Sequence, residues 1–182
     1  MPFEFKETPL NGVLVVQPRL FGDSRGFFME TYKKSEFASA GIHESFVQDN
    51  HSYSSKGVLR GIHFQAAPHA QGKLVRIIKG AVWDVAVDLI KGSPAYGQFF
   101  GMELNEENNT MLYIPPGFGH GFITLTDNTH FLYKCTAEYA PESDGGVIWN
   151  DPDLNISWPI KVIDKPLVSE KDRVLPFLKD LK

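Results

Sequence analysis

Near its middle the chain reads Val82-Trp83-Asp84-Val85-Ala86-Val87-Asp88. Because successive side chains of a β-strand point to opposite faces, Asp84, Ala86 and Asp88 lie on one face and the bulky apolar residues on the other. Such a strand belongs to a sheet with two unlike surfaces. The polar surface lines either a ligand-filled barrel or bulk solvent, and the alternation alone leaves both open.

The rest of the chain shows a similar pattern. Short segments rich in β-branched and aromatic residues are separated by Gly, Pro, Asn and Asp, which is typical of strands joined by turns. We predict helices at 36–40, capped by Ser35 and ended by Gly41, and at 174–181, with Pro176 in the first turn. The pattern therefore predicts an all-β antiparallel sandwich or barrel with a few short helices. The predicted strands are 13–16, 27–32, 58–64, 73–78, 82–89, 98–104, 111–114, 121–126 and 131–136.

Composition limits the class of protein. The chain has 182 residues, of which 42% are hydrophobic and 22% charged, and this suits a single globular domain spanning residues 1–182. A net charge of −4 argues against a nucleic-acid-binding protein. The one cysteine, Cys135, can form no disulfide within the chain, and no apolar run approaches the ~20 residues of a membrane span. Without a signal-peptide pattern after Met1, we expect a cytoplasmic protein with no membrane contact.

Polar and glycine-containing motifs follow one another along most of the chain. The densest group reads Val47-Gln48-Asp49-Asn50-His51-Ser52, Gly57-Val58-Leu59-Arg60-Gly61-Ile62-His63-Phe64-Gln65 and Gln71-Gly72-Lys73-Leu74-Val75-Arg76. Further motifs lie at 21–30, 84–88, 114–122, 133–134, 149–152 and 169–172. In these motifs, over roughly residues 8–175, the chain resembles the dTDP-4-keto-6-deoxyglucose 3,5-epimerases, a branch of the cupin barrels.

The resemblance implies a fold and a reaction. The fold would be a cupin-type antiparallel β-barrel, or jelly roll. The reaction would be epimerisation at C3 and C5 of dTDP-4-dehydro-6-deoxy-D-glucose, giving dTDP-4-dehydro-L-rhamnose for dTDP-rhamnose biosynthesis. It implies no cofactor and no metal, and a homodimer formed with strand exchange.

Independent chemistry supports such a reaction. Inverting a carbon next to a ketone needs a base on one face, an acid on the other and stabilisation of the enolate oxygen. A neutral histidine can serve as the base and a protonated tyrosine as the acid near neutral pH. His63, Tyr133 and Lys73 offer the base, the acid and a cation for the enolate, although each alone would more often be a structural residue.

The resemblance assigns catalytic roles to four residues. His63 would abstract the C5 and C3 protons, and Asp172 would orient its ring and stabilise the imidazolium. Tyr133 would protonate the opposite face of the sugar. Lys73 would lie beside the C4 oxygen.

A second set of residues would bind the nucleotide sugar. Arg60 and Lys171 suit the diphosphate because guanidinium and ammonium groups bind phosphate oxygens. The resemblance implies that Arg25 and Glu30 come from the neighbouring subunit. It also places Gln48, Asp49, Asn50 and His120 around the ligand.

Two carboxylates need separate treatment. Asp144 stands where the family usually has Glu, so its shorter side chain would reach the nucleotide only through water. Asp84 is expected inside the barrel, near Lys73 or His120.

Three other functions compete with the 3,5-epimerase. A metal-dependent cupin usually needs a His-x-His pair, but His63-Phe64-Gln65 lacks the second histidine and His69 lies in a predicted loop, which leaves His120. A relative that inverts one centre, or a 3,4-ketoisomerase, would share the same base and acid. A sugar-binding cupin without activity would not need all of His63, Tyr133 and Lys73.

Overall fold

The computed structural model describes residues 1–160, 163 and 165–181, and most of its regular structure is β-strand. Two short α-helices are present, α1 (Lys34–Ser39) and α2 (Glu170–Arg173), with 3-10 turns at Pro141–Ser143 and Leu178–Asp180. The strands are β1 (Phe3–Glu7), β2 (Leu14–Pro18), β3 (Phe21–Asp23), β4 (Gly26–Phe28), β5 (Gln48–Ser54), β6 (Val58–Gln65), β7 (Lys73–Lys79), β8 (Ala81–Asp88), β9 (Phe99–Asn105), β10 (Met111–Ile114), β11 (Phe118–Thr124), β12 (Thr129–Cys135), β13 (Asp144–Gly146) and β14 (Leu167–Val168).

The strands form two packed sheets and a small hairpin. The first sheet has six strands in the order β1-β2-β10-β7-β12-β5, and the second has the path β13-β6-β11-β8-β9. Pairing is antiparallel within both paths, while β14 adds to β6 in parallel and β3 pairs with β4 alone. This architecture confirms the predicted all-β jelly roll.

The main core lies between the two sheets. Val75 and Ile77 of β7 meet Ala86 of β8 there, and the rings of Phe122 and Phe131 stack at 4.2 Å. Alternation along β8 therefore directs Asp84 and Ala86 to the interior, as the sequence pattern allowed.

The outer face of the second sheet is also buried. Val85, Val87 and Ile123 pack there against residues from the chain after β13, among them Leu154 and Trp158. Burial on both faces explains why β8 is apolar on the side away from the barrel. It also brings the C-terminal segment back along the edge of β6.

A third cluster packs under α1. The helix inserts Phe37 among aromatic rings, with Phe3 at 5.2 Å and Tyr32 at 5.0 Å. The predicted helix is confirmed in position, and Gly41 (φ +90°) follows its last residues. Ser35 is not its N-cap, because the helix begins at Lys34, one residue before Ser35, and no side chain caps it.

The sequence-based elements differ from the structure in several places. Strand β4 ends at Phe28, so the predicted strand at 27–32 is mostly irregular. Strands β1, β3, β5, β13 and β14 were not predicted. The predicted α-helix at 174–181 is wrong: the carbonyl of Pro176 accepts from the N–H of Ile148, which holds this residue against the barrel, and the segment forms one 3-10 turn at Leu178–Asp180. No helix in the described ranges has the length and apolar character needed to cross a bilayer.

Candidate active site

One cleft opens between the two sheets. A cavity of about 520 Å³ is lined by Arg60, His63, Lys73, His120, Tyr133, Lys171 and Asp172, among others. A second cavity of about 330 Å³ shares four of those residues and adds Gln48, Asn50 and Asp144. The fold therefore gathers ten of the thirteen predicted site residues around one space.

The carboxylate of Asp172 holds the His63 ring. His63 Nε2 lies 2.6 Å from Asp172 Oδ1, and the Asp172 side chain is buried. Burial raises the pKa of Asp172, but the hydrogen bond and charge of His63 outweigh it and leave that pKa below its usual value. The carboxylate is therefore ionised beside the ring, and Nδ1 of His63 is the nitrogen left for a ligand.

The backbone around Asp172 fixes its position. Ser169 caps α2 by accepting from the Asp172 N–H at 3.1 Å, and the N–H of Gly61 donates to Asp172 Oδ2 at 3.2 Å. Ser169 was not predicted to be a capping residue, although Ser169-x-x-Asp172 is a capping signal.

Gly61 is required by the packing of β6 on β11. Its φ is +117°, and a Cβ added there would lie 2.5 Å from the Cα of Gly121. Only glycine fits this close approach, which lets the Gly61 N–H reach the Asp172 carboxylate.

Tyr133 enters the cleft from the other sheet. It lies on β12, between Asn50 of β5 and Val75 of β7, whereas His63 lies on β6 of the second sheet. Burial is the main cause that raises the pKa of Tyr133, with Arg60 opposing it. The phenol is therefore protonated at neutral pH and can donate a proton.

Lys73 begins β7 and lines both cavities. Burial lowers its pKa, while the charges of Cys135, Asp84 and Asp144 act in the opposite direction. A lysine in this setting responds strongly to a nearby negative charge, because little solvent screens the interaction.

A second imidazole is bound to a second carboxylate. His120 Nε2 lies 2.9 Å from Asp84 Oδ2, with the side chains 7% and 0% exposed. Burial lowers the pKa of His120, although Asp84 raises it. The expectation that Asp84 lies inside the barrel near His120 is confirmed.

Two cations in the lining of the first cavity are exposed to solvent. Arg60 is exposed and donates to Ser54 Oγ at 3.2 Å, and Lys171 forms an ion pair with Asp144. The hydrogen bond from Lys171 to the Asp144 carboxylate is the main cause that raises the pKa of Lys171. The hydroxyl of Tyr139 donates to the same Asp144 carboxylate at 3.1 Å.

Alternation along β5 divides its polar residues. Gln48 and Asn50 face the cleft, where the Gln48 amide donates to Asn50 Oδ1 at 3.1 Å and accepts from the N–H of Tyr139 at 2.8 Å. Asp49 is exposed on the other face and pairs with Lys134 at 2.8 Å. The structure therefore does not bring the Asp49 side chain into the cleft with its neighbours.

The remaining two predicted residues lie away from the cleft of their own chain. Arg25 is at the tip of the β3–β4 hairpin, 88% exposed, and binds Asp23. Glu30 follows that hairpin and lines neither cavity. Phe27 and Phe28 in the hairpin are 59% and 65% exposed.

Residues 1–160, 163 and 165–181 contain no group of three or more His, Cys, Asp or Glu side chains placed to hold a metal ion. His63 and His120 are each bound to their own carboxylate instead.

Known proteins share both the sequence and the fold. A family model described as dTDP-4-dehydrorhamnose 3,5-epimerase matches residues 7–180. The dTDP-4-dehydrorhamnose 3,5-epimerase of Pseudomonas aeruginosa is 54% identical over 162 residues, 88% of each chain.

Solved structures agree with this match. The dTDP-6-deoxy-D-glucose-3,5-epimerase of Legionella pneumophila, in complex with dTDP-4-keto-L-rhamnose, has a TM-score of 0.95 and 41% identity over 99% of this chain and 95% of that one. A 3'-monoepimerase of Streptomyces bikiniensis, in complex with dTDP-quinovose, has a TM-score of 0.88 and 34% identity over 95% and 88%. With the family model covering nearly all of its length, this chain belongs to the dTDP-4-dehydrorhamnose 3,5-epimerase family.

Proposed function

We propose that this chain epimerises dTDP-4-dehydro-6-deoxy-D-glucose at C3 and C5, giving dTDP-4-dehydro-L-rhamnose for dTDP-rhamnose biosynthesis. The observation that carries the proposal is the arrangement of one cleft between two sheets. A base, His63, comes from the second sheet and an acid, Tyr133, comes from the first. A sugar ring between them meets the base on one face and the acid on the other, as inversion requires.

His63 is the base in this reaction. Its Nε2 is bound to Asp172, so Nδ1 takes the proton from the carbon next to the ketone. The ionised carboxylate stabilises the imidazolium that forms, and it fixes the tautomer before the proton is transferred. General-base catalysis of this kind contributes about 10²–10⁴-fold to a rate.

Lys73 stabilises the enolate. Removal of the α-proton places negative charge on the C4 oxygen, and a partly buried ammonium opposes that charge more strongly than one in water. Tyr133 then delivers its proton to the opposite face, and its raised pKa keeps the phenol protonated until that step.

The exposed end of the cleft binds the nucleotide. Arg60 and Lys171 bind the diphosphate, and Gln48, Asn50 and His120 contact the rest of the ligand. Before the ligand binds, the Asp144 carboxylate forms an ion pair with Lys171. Lys171 must exchange this partner for a phosphate oxygen when the ligand binds.

A homodimer completes the site. The exposed aromatic residues of the β3–β4 hairpin suit burial against a second copy, which would carry Arg25 and Glu30 to the partner's cleft. The Asp49 side chain faces away from the cleft, so Asp49 contacts the ligand through its backbone. The protein works in the cytoplasm without a cofactor or metal.

The rival function is inversion of a single centre, favoured by the likeness to a 3'-monoepimerase. Incubation with the 4-keto substrate in deuterated water separates the two. Deuterium at both C3 and C5, followed by NMR, supports the 3,5-epimerase. Deuterium at one carbon supports the rival, and incorporation at neither refutes both.

A further inference from the structure

The barrel contains two imidazole–carboxylate pairs, and only one has a place in the reaction above. His63 and His120 are direct cross-strand partners on β6 and β11. Each uses Nε2 to bind a carboxylate, at 2.6 Å in one pair and 2.9 Å in the other. The second pair is far more buried, so its free-energy cost to the fold must be weighed against a role in the site.

Burial of Asp84 is expensive without a compensating role. Its side chain is 0% exposed, and Oδ1 has no hydrogen-bond partner in the part of the chain that the structure describes. An unsatisfied buried polar atom costs about 1–3 kcal/mol, and more when charged. An aspartate at this position on β8 is therefore poorly explained by stability alone.

The register of the strands aims Asp84 at His120. On β8, Ala86 lies directly opposite His120, and Asp84 is two residues along on the same face. Diagonal neighbours on one face of a sheet are within reach of long side chains. The carboxylate thus reaches the imidazole from a rigid central strand, as a group that holds an orientation should.

We propose that Asp84 is a positioning residue, which fixes His120 as the tautomer with an unprotonated Nδ1 that accepts a hydrogen bond from a hydroxyl of the sugar. An ionised carboxylate accepts a proton-bearing Nε2, so the free lone pair of the neutral ring is on Nδ1. His120 lines the cavity, and no described residue bonds its Nδ1. The inference rests on the proposed function.

The charges around His120 keep the ring neutral. Asp84 on β8 favours the imidazolium, whereas Lys73 on β7, His63 on β6 and burial all disfavour it, and the pKa of His120 is lowered overall. A neutral ring with an acceptor in the cavity selects sugars that carry a hydroxyl at that position. A deoxygenated sugar would leave the lone pair buried and unpaired.

The same carboxylate acts on Lys73. The charge of Asp84 raises the pKa of Lys73 against the effect of burial. Removing that charge lowers the pKa, so the ammonium that faces the enolate is lost at a lower pH. An aspartate with a purely structural role would not produce this shift in the pKa of Lys73.

The test is the Asp84→Asn variant, which keeps shape and removes charge. We expect kcat/KM for the 4-keto substrate to fall about 10- to 100-fold, as for loss of a charge-assisted hydrogen bond. The alkaline limb of the pH–rate profile should move to lower pH. Binding of dTDP by calorimetry should be unchanged, because Arg60 and Lys171 are untouched, and this shows that the cleft is folded.

Two comparisons make the result decisive. Asp88→Asn, a buried aspartate on the same strand that bonds the N–H of Ile90, should leave the pH profile unchanged. At a pH below the alkaline limb, where Lys73 stays charged in both variants, Asp84→Asn combined with His120→Gln should be no slower than His120→Gln alone, because the remaining effect of Asp84 depends on its contact with His120. Wild-type kinetics in Asp84→Asn, or additive losses in the double variant, would overturn the inference. An inactive wild type would instead refute the proposed function.

Discussion

Replacing Asp172 by Asn tests how the base is prepared. The variant keeps the size of the side chain and the Ser169 cap, which binds the backbone, but removes the charge 2.6 Å from His63 Nε2. In the reaction the ring gains a proton, so the wild-type carboxylate stabilises the product of the step and the amide does not. The amide can also donate to Nε2, which would place the proton on Nδ1, the atom that must accept.

The size of the effect follows from the geometry. A hydrogen bond to a charged group contributes about 1.5–3 kcal/mol. Two unit charges ~4 Å apart interact by about 4 kcal/mol at an effective dielectric constant of ~20. Because His63 is 31% exposed, solvent screening reduces the effect below the Coulomb figure, and we take about 3 kcal/mol. That corresponds to a loss of kcat on the order of 100-fold.

The assay is exchange of the C3 and C5 protons in deuterated water, followed by NMR. The matched control is Glu170→Gln on the same helix, whose side chain is 91% exposed and pairs with Arg173. The control should exchange at the wild-type rate. If Asp172→Asn exchanges within about threefold of wild type, the carboxylate does not prepare the base and the reasoning fails.

The same variant carries a prediction about stability and pH. The pKa of Asp172 is lowered in the folded state from 3.8, so the ionised carboxylate stabilises the fold above the unfolded-state pKa. That contribution is lost as the pH falls through the folded-state pKa. Urea unfolding should therefore show Asp172→Asn as less stable at neutral pH, with the difference shrinking below 3.8.

Three further substitutions probe other parts of the cleft. Tyr133→Phe should stop net inversion while exchange on the His63 face persists, which NMR in deuterated water would reveal; normal inversion would remove Tyr133 as the acid. Lys171→Met should raise KM about 10-fold with kcat nearly unchanged, because it loses one phosphate contact; a fall in kcat alone would contradict this. Gly61→Ala places a Cβ 2.5 Å from the Cα of Gly121 at φ +117°, so urea unfolding should show a loss of about 2–4 kcal/mol; unchanged stability would show that β6 and β11 separate freely.

The sequence predicted most of the strands that carry apolar residues at alternate positions, and it missed β5, which does not carry them. Strand β5 reads Gln-Asp-Asn-His-Ser-Tyr-Ser, residue types with weak strand preference. Its inward side chains are polar because they face the cleft rather than the core. A functional strand therefore violates the pattern by which strands are recognised.

Tertiary contacts determine the conformation of the C-terminal segment. The residues from Val174 onward have helical character in isolation, but the Asp151 carboxylate accepts from the N–H of Leu178 and holds the chain against the barrel. The short helix α2 forms before this segment, at Glu170–Arg173, directly after Ser169. No local signal at 174–181 could reveal a contact with residues so distant in sequence.

The site was predicted better as a set than as individual contacts. Motif matches named both His63 and Asp172, and the structure joins them. They could not separate Asp49 from Gln48, since the face of a strand depends on a register that an unrecognised strand does not reveal. Nor could they show that Asp144 is bound to Lys171.

The outer layer over the second sheet has a consequence for biosynthesis. His63 and its carboxylate partner are 109 residues apart in the chain, and the partner arrives with the segment that covers that sheet. A ribosome releases the barrel strands long before it releases Asp172. The nascent protein can thus form its barrel before it has a working base, which it acquires only when α2 has docked beside His63.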